Sequence, residues 1–311
     1  MSRVLFEKAE AGYRNVNGYV VVDIQSKLQA SGFDPGVIDG VYGNDTKNAL
    51  SSWQTNNGLN QNGKVDVDIW MKLMSTNDLP RIQDRALQLT ADFEGTGFRK
   101  VVGNFDGAGI TWGIIGFTLK HGNIKRLIDR VNELQPNLLT AAFGGLKDEF
   151  LSVLDSSLAK QLNWANGISI GNQKYKVLPE WEEAFDKLGS YKEVESFQLE
   201  LVNENCEMAE RDMDRFGLNT EIGFALCFDI AVQNGGIDST EKQQITDLLK
   251  QNPPTNEKDK RIIISNVIAE NSKKQYIEDV RSRKLTIATG IGTIHGSKYN
   301  IQNWGIGEFT I

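Results

Sequence analysis

Hydrophobic positions recur at helical spacing along most of the chain. One such stripe comprises Ile82, Ala86, Leu89 and Phe93. Similar stripes recur over residues 123–134, 191–213, 221–233 and 259–284. Residues 98–117 break this pattern, because they are β-branched, punctuated by glycine and carry turn signals. The chain is therefore predicted to be mainly α, of the α+β class, with one short antiparallel hairpin or meander.

A second, more compact pattern covers residues 18–74. Apolar segments around Ile24, Trp53 and Trp70 are separated by turn-rich passages, which predicts three short helices around a small core. We assign no element to the polar lead-in, residues 1–17, and treat residues 75–80 as a linker. Residues 81–311 then form a second, larger domain.

Charge and composition make several functional classes improbable. The 311 residues carry 34 basic against 41 acidic side chains, a formal charge of -7, and no basic cluster, so nucleic acid is not an expected partner. No apolar run approaches the roughly 18 residues of a membrane span, so membrane insertion is not expected. The opening residues show no secretory signal pattern. We expect synthesis in the cytoplasm without a signal peptide.

Histidine and cysteine usage gives no sign of a cofactor. His121 and His295 are far apart and lack the spacing of zinc ligands, so we expect neither a metal nor another cofactor. Cys206 and Cys227 lie in apolar helical segments, where buried free thiols are favoured over a bridge, although pairing stays open.

Glycines and polar residues cluster in the loop of the first domain. The glycines allow a tight turn, Asp39 can accept hydrogen bonds from loop amides, and Thr46 can begin a helix, so a structural role is open for each of them. The segments IQSKLQASGF, GVIDGVYGNDTKNAL, SWQTNNGL and GKVDVDIWMKL resemble the type 1 peptidoglycan-binding domain of cell-wall hydrolases. The resemblance implies wall binding. Its candidate residues are Asp39, Gly40, Tyr42, Gly43 and Thr46.

Two carboxylates flank the predicted hairpin. Glu94 ends a helix before Gly95, where the helix dipole and neighbouring phenylalanines favour its protonated form and a role as general acid. Asp106 lies in a turn where it would stay ionised and polarise a water, and Thr111 could orient that water. Hydrolysis of a glycosidic bond needs such a pair, and a separation of roughly 6.5–9.5 Å gives inversion.

The run DGAGITWGIIGFTLKHG, which follows Glu94 in the chain, strengthens this interpretation. It resembles the hairpin signature of the family 46 chitosanases, and the order Glu, Asp, Thr resembles the catalytic triad of phage lysozymes. Both families belong to the lysozyme superfamily. The resemblance implies a lysozyme-like fold for the second domain, with Glu94 as acid, Asp106 as base and Thr111 as the water-positioning residue. The chitosanase Tyr-Asp and His-Gly pairs read Phe228, Asp229 and Asn234, Gly235 here, which departs from that family.

Five further residues are weaker candidates for substrate binding. They are Trp112, Gly109, Asp229, Gln233 and Asn234. Trp112 could stack on a sugar or pack into the core, and Asp229 and Gln233, one helical turn apart, could line a cleft or support the hairpin from a buried position. For Asn234 we expect a role at the end of a helix first and a substrate contact second.

Together the two domains predict a peptidoglycan hydrolase of the phage endolysin type that acts as a monomer on the cell wall after another factor releases it. The wall-binding domain would raise the local concentration of the catalytic domain on its polymer. The alternatives are a chitosanase-type glycoside hydrolase and a non-catalytic wall-binding or virion structural protein. A lytic transglycosylase is a further option, against which Asp106 argues.

Overall fold

The computed structural model describes residues 2–311 and divides them into two compact units. Unit 1 contains the residues up to Phe93 together with Asn205–Ile311, and unit 2 contains Glu94–Glu204. Each unit is mainly helical with short antiparallel strand pairs, so the predicted fold class is confirmed. The units do not separate at residues 75–80, and the predicted domain boundary there stays a prediction.

The N-terminal part of unit 1 contains the three predicted short helices. Its elements are β1 (Val4–Glu7), α1 (Tyr19–Ala30), α2 (Asn44–Asn56), β2 (Lys64–Asp66), α3 (Val67–Met74) and α4 (Ile82–Glu94), whose last residue belongs to unit 2. The lead-in is structured, because β1 pairs antiparallel with β2 and buries Leu5 and Phe6 completely. Its partner strand lies far along the chain, where no local pattern could reveal the pairing.

Unit 2 combines a small sheet with helices. Its elements are β3 (Val101–Val102), β4 (Thr111–Trp112), β5 (Phe117–Thr118), α5 (Asn123–Leu134), α6 (Pro136–Phe143), α7 (Lys147–Leu154), α8 (Leu158–Ile168), β6 (Ser169–Ile170), β7 (Lys176–Val177) and α9 (Pro179–Gly189). Strands β3, β4 and β5 form a three-stranded antiparallel sheet, which confirms the predicted meander. The core is aromatic, with the rings of Phe143, Phe150 and Phe185 within 5.1–5.3 Å of one another.

The C-terminal third is helical apart from one hairpin. Its elements are α10 (Lys192–Phe216), which begins in unit 2, and α11 (Glu221–Asn234), α12 (Ser239–Gln251), α13 (Glu257–Asn271), α14 (Ile277–Thr289), β8 (Ile291–Ile294) and β9 (Ser297–Asn300). The stripe over 259–284 belongs to two helices, α13 and α14, which residues 272–276 separate. The hairpins β6–β7 and β8–β9 correct the expectation of a single β interruption.

The two cysteines are buried and free, as the sequence predicted. Burial raises the pKa of the Cys206 thiol to about 12 and also raises the pKa of Cys227. None of the helices within residues 2–311 is long and apolar enough to cross a membrane.

Candidate active site and wall-binding loop

Glu94 is the last residue of helix α4. Gly95 follows in a left-handed conformation with φ of 61°, so the predicted helix end is confirmed. The ammonium group of Lys100 donates a hydrogen bond to the Gly95 carbonyl and so satisfies an acceptor at this helix end. The Glu94 side chain is exposed, so the apolar enclosure expected around it is not present.

Asp106 lies in the loop that joins β3 to β4, as the sequence predicted. Gly107 follows with φ of 82°, and the Asp106 Oδ1 atom accepts a hydrogen bond of 2.9 Å from the Ala108 amide. This side-chain turn fixes the carboxyl group against its own backbone. The Asp106 side chain is exposed. Both candidate carboxylates of unit 2 are therefore open to solvent.

Thr111 begins strand β4 and is half-buried. It pairs with Val102 on one side and Thr118 on the other, in the middle of the small sheet. A Cβ atom on Gly116 would lie 3.1 Å from the Thr111 Cγ2 atom, so glycine leaves room for this side chain. The sheet thus holds Thr111 in a defined position.

Hydrogen bonds connect the turn after β4 to the segment that follows Glu94. The Thr96 hydroxyl donates to the Ile114 carbonyl at 2.8 Å. Gln198, a completely buried residue of α10 within unit 2, accepts a hydrogen bond of 2.9 Å from the Ile114 amide and donates one of 2.8 Å to the Phe98 carbonyl. Because Thr96 and Phe98 lie two and four residues beyond Glu94, these bonds tie the helix end that carries Glu94 to the strand that carries Thr111.

Two predicted substrate-binding residues of the hairpin are buried. Trp112 is 0% exposed, and its ring packs 5.3 Å from that of Phe185, so it belongs to the core and is not placed to stack on a sugar. Gly109 is buried with φ of 82°, and a Cβ atom there would lie 2.9 Å from the Leu119 Cβ atom. Close packing and backbone conformation explain this glycine better than substrate contact.

Asp229 is a structural residue of unit 1. It is 0% exposed and forms ion pairs with Arg283 (2.7 Å) and Lys284 (2.6 Å). Burial by itself would raise the pKa of Asp229, but the charges and hydrogen bonds of the two cations outweigh burial and lower that pKa well below its ordinary value. The prediction that Asp229 lines a cleft is corrected, because a carboxylate committed to two buried cations cannot also face substrate.

The two neighbouring candidates in α11 are less enclosed. Gln233 is half-buried, and its Oε1 atom accepts a hydrogen bond of 2.7 Å from Lys284, which makes it part of the same buried network. Asn234 is exposed and is followed by Gly235 with φ of 77°, which ends the helix as predicted. A role for either residue in substrate binding stays a prediction.

The candidate wall-binding loop of unit 1, residues 39–46, is organised by a buried glutamine that the sequence analysis did not identify. Gln25 is 1% exposed and accepts a hydrogen bond of 2.8 Å from the Gly40 amide. Its amide nitrogen donates to the Asp39 carboxyl (3.1 Å), the Val41 carbonyl (3.2 Å) and the Thr46 hydroxyl (3.0 Å). The exposed Asp39 and the buried Gly40 and Thr46 therefore share one hydrogen-bond network, which is the structural alternative that their residue types allowed.

Tyr42 and Gly43 also serve the fold of this loop. Tyr42 is 0% exposed and donates a hydrogen bond of 3.3 Å to the Gly63 carbonyl. Gly43 precedes helix α2, which begins at Asn44, so the prediction that Thr46 begins this helix is wrong by two residues. A cavity of about 170 Å³ lies beside the loop, lined among others by Gln25, Asp39 and the 78% exposed Val37. Direct contact of these residues with the wall stays a prediction.

A sequence signal for both buried glutamines exists in hindsight. Gln25 follows Val21 by four residues and precedes Leu28 by three, and Gln198 follows Val194 by four, so each polar side chain occupies an apolar position of its helix. A polar residue at such a position has to find hydrogen-bond partners inside the protein. Within residues 2–311 no group of three or more acidic, histidine or cysteine side chains is arranged to hold a metal ion.

A comparison with known protein families gives a match to the N-terminal part of unit 1. Residues 17–73 match the family model described as "Putative peptidoglycan binding domain". A search of the curated proteins finds no match to the chain.

Two solved chitosanases share a distant similarity with the chain. One is a GH46 chitosanase of Gynuella sunshinyii in complex with chitotetraose, with 16% identity and a TM-score of 0.48. The other is a mutant chitosanase of Bacillus subtilis MY002 complexed with 6 GlcN, with 18% identity and a TM-score of 0.44. Each alignment covers 68% of this chain and 88% of the other chain. Function therefore has to be argued from the residues of this chain itself.

Proposed function

We propose that this protein is a peptidoglycan hydrolase that binds the cell wall through residues 17–73 and cleaves glycosidic bonds of the glycan strand in unit 2. The observation that carries the proposal is that Glu94, at a helix end, and Asp106, in the β3–β4 loop, both expose their carboxylates in unit 2, while the small sheet holds Thr111 half-buried. The family match over residues 17–73 supports peptidoglycan as the substrate. An anionic protein gains little from general attraction to an anionic wall, so specific contacts have to recognise it.

Glu94 acts as the general acid in this proposal. It protonates the glycosidic oxygen as the bond to the anomeric carbon breaks, while Asp106 removes a proton from the attacking water and Thr111 orients that water. The water oxygen becomes the new anomeric hydroxyl. Asp106 then releases its proton to solvent, and Glu94 takes one up from solvent. We propose inversion at the anomeric carbon, which requires the water to fit between the two carboxyl groups. An endolysin role, with release to the wall by another factor, is part of the same proposal.

Replacement of the acid tests the proposal. Glu94→Gln should lower the release of new reducing ends from purified sacculi by about 10²- to 10⁴-fold, because an amide cannot supply the proton. The variant should still sediment with sacculi, since residues 17–73 are unchanged. Glu133→Gln, which alters an exposed glutamate of α5 in the same unit, is the matched control and should keep full activity. Unchanged release by Glu94→Gln would contradict the assignment.

Product analysis separates hydrolysis from its rivals. Mass spectrometry of the digested wall should show fragments that have gained one water, whereas a lytic transglycosylase leaves anhydro ends. Activity on chitosan with none on sacculi would replace peptidoglycan by a glucosamine polymer as substrate. Sedimentation with sacculi and no cleavage of either polymer would leave only a binding protein.

A further inference from the structure

Two exposed aromatic side chains of unit 2 are in contact, and one of them, Phe105, directly precedes Asp106 in the chain. Phe105 is 47% exposed and Tyr175 is 49% exposed, and their ring centroids lie 5.4 Å apart with planes inclined by 52°. The rings of Trp112, Phe143 and Phe150 in the same unit are almost fully buried. A pair of aromatic rings left in contact on the surface is typical of a ligand site, because packing alone does not explain it.

The backbone beneath these rings is held firmly. The Gly103 amide donates a hydrogen bond of 3.0 Å to the Tyr175 carbonyl, and the Asn104 amide donates one of 2.8 Å to the Ser169 hydroxyl. A Cβ atom on Gly103 would lie 2.3 Å from the Lys174 carbonyl oxygen, so only glycine permits this approach of the two loops. The loop of Asp106 and the β6–β7 hairpin therefore present the rings in a preformed arrangement.

The hairpin turn that carries Tyr175 adopts an unfavourable backbone conformation. Gln173 and Lys174 have φ values of 52° and 57°, in the left-handed region that side chains disfavour. The residues that precede the two rings in the chain are linked by polar side chains, since the Asn166 Oδ1 atom accepts hydrogen bonds from Lys174 (2.6 Å) and from the Asn104 side chain (3.3 Å). Strain of this kind is retained where the surrounding structure enforces a specific presentation.

We infer that the two rings, which we name the Phe105–Tyr175 platform, form a stacking subsite for a pyranose ring of the glycan strand. A pyranose exposes an apolar C–H face that packs on aromatic rings, while its hydroxyl groups need polar partners at the rim, such as Asn104 and Asn166. Phe105 directly precedes Asp106, so the platform and the candidate base belong to the same loop. The inference rests on the proposed function and names where the strand is held.

Binding without turnover tests the platform. The probe is a soluble, peptide-free strand of alternating N-acetylglucosamine and N-acetylmuramic acid, titrated calorimetrically into the full chain carrying Glu94→Gln. Phe105→Ala and Tyr175→Ala should each raise Kd by about ten-fold, since each removes one stacked ring. Phe105→Leu and Tyr175→Leu keep apolar bulk without an aromatic face and should show a similar loss. Phe105→Tyr and Tyr175→Phe should bind like the parent.

The matched control is Tyr276→Ala in unit 1, because Tyr276 is 50% exposed and far from this loop in sequence. Its Kd should equal that of the parent, and thermal unfolding should show that all variants are folded. Unchanged Kd in the alanine and leucine variants, or no binding by the parent, would overturn the platform.

Cleavage of sacculi by the wild type is measured separately and decides the proposed function. If the wild type cleaves sacculi but the Phe105 and Tyr175 variants bind the strand as tightly as the parent, the hydrolase proposal stands and the platform is refuted. Ring-dependent binding without cleavage would retain the platform as a glycan site and remove the hydrolase.

Discussion

The candidate wall-binding loop of unit 1 and the hairpin of unit 2 are each held by a buried glutamine, but the two glutamines bond different groups. A buried glutamine holds each of them, Gln25 in the first and Gln198 in the second, through one accepted and at least one donated hydrogen bond. Gln25 includes the carboxyl of Asp39 in its network, whereas Gln198 bonds only backbone groups. Both Asp39 and Asp106 are exposed, but Asp39 is hydrogen-bonded to the buried glutamine of its loop, whereas Asp106 accepts its hydrogen bond from the Ala108 amide of its own turn.

A third glutamine shows that this support is general in the chain. Gln54 is 0% exposed, accepts a hydrogen bond of 2.9 Å from the Gly63 amide and donates one of 3.1 Å to the Lys64 carbonyl. A glutamine amide has both donors and an acceptor, so one buried side chain can satisfy an amide and a carbonyl group of a loop. A motif residue that is hydrogen-bonded to such a buried glutamine has a structural role, as Asp39 has, even where its side chain is exposed.

The largest expected effect comes from the exposed acid of the hairpin. Asp106→Asn should lower kcat on sacculi by about 10²- to 10⁴-fold, because the amide cannot accept a proton from water. Thermal stability should change little, since the side chain is exposed. Asp148→Asn, at an exposed position of α7, is the control. A fully active Asp106→Asn enzyme would remove the contrast between the two loops.

The buried acid of unit 1 should instead affect stability. Asp229→Ala leaves Arg283 and Lys284 buried without their carboxylate, which should lower the free energy of unfolding by about 3–5 kcal/mol. Asp279→Ala, which removes a half-exposed partner of His295, should cost less than about 1 kcal/mol. Urea denaturation measures both values, and equal losses would contradict the role assigned to Asp229.

The Asp229 carboxyl should also make the free energy of unfolding depend on pH. Its pKa is lowered in the folded protein, so its contribution to stability is complete above the unfolded value of about 3.9 and is lost as the pH falls toward the folded value. Below about pH 4 the wild type should therefore lose stability more steeply than Asp229→Ala. Parallel curves of unfolding free energy against pH would show that Asp229 does not titrate in this way.

Replacement of the buried glutamines Gln25 and Gln198 should lower stability moderately and should impair two different functions. Gln25→Leu and Gln198→Leu each leave backbone groups unsatisfied and should cost about 1–3 kcal/mol of unfolding free energy. Gln25→Leu should weaken sedimentation with sacculi, whereas Gln198→Leu should lower kcat more than it changes KM, because it loosens the strand of Thr111. Gln243→Leu, at a surface position of α12, controls for the substitution. A change in KM alone for Gln198→Leu would argue against its positioning role.

The smallest effect is expected at the cysteines. Cys206 and Cys227 are free and buried, and burial raises the pKa of both thiols, so a thiol reagent should react slowly with the folded protein and with two thiols after unfolding. Reduction should leave wall cleavage unchanged. A mobility shift on non-reducing gels would show that the two cysteines pair.

Local sequence was sufficient for the elements that carry the site. The helix that ends at Glu94, the turn at Asp106 and the strand of Thr111 depend on neighbouring residues, such as Gly95 and Gly107, whose backbone preferences act over a few positions. The pairing of β1 with β2 and the helices of residues 136–189 escaped prediction. The first depends on a distant partner, and the second on an aromatic core that forms only when its members are assembled.

Residue type and spacing thus determined the helical class of this protein, the segment that matches the peptidoglycan-binding family model and the order of its candidate acid, base and hydroxyl. Tertiary structure alone decided which polar side chains are buried and hydrogen-bonded in the interior, as Asp229 and Gln25 are, and which are exposed, as Glu94 and Asp106 are. The reason is physical: a buried polar group is stable only when distant segments supply its partners, and the identity of those partners is a property of the folded chain.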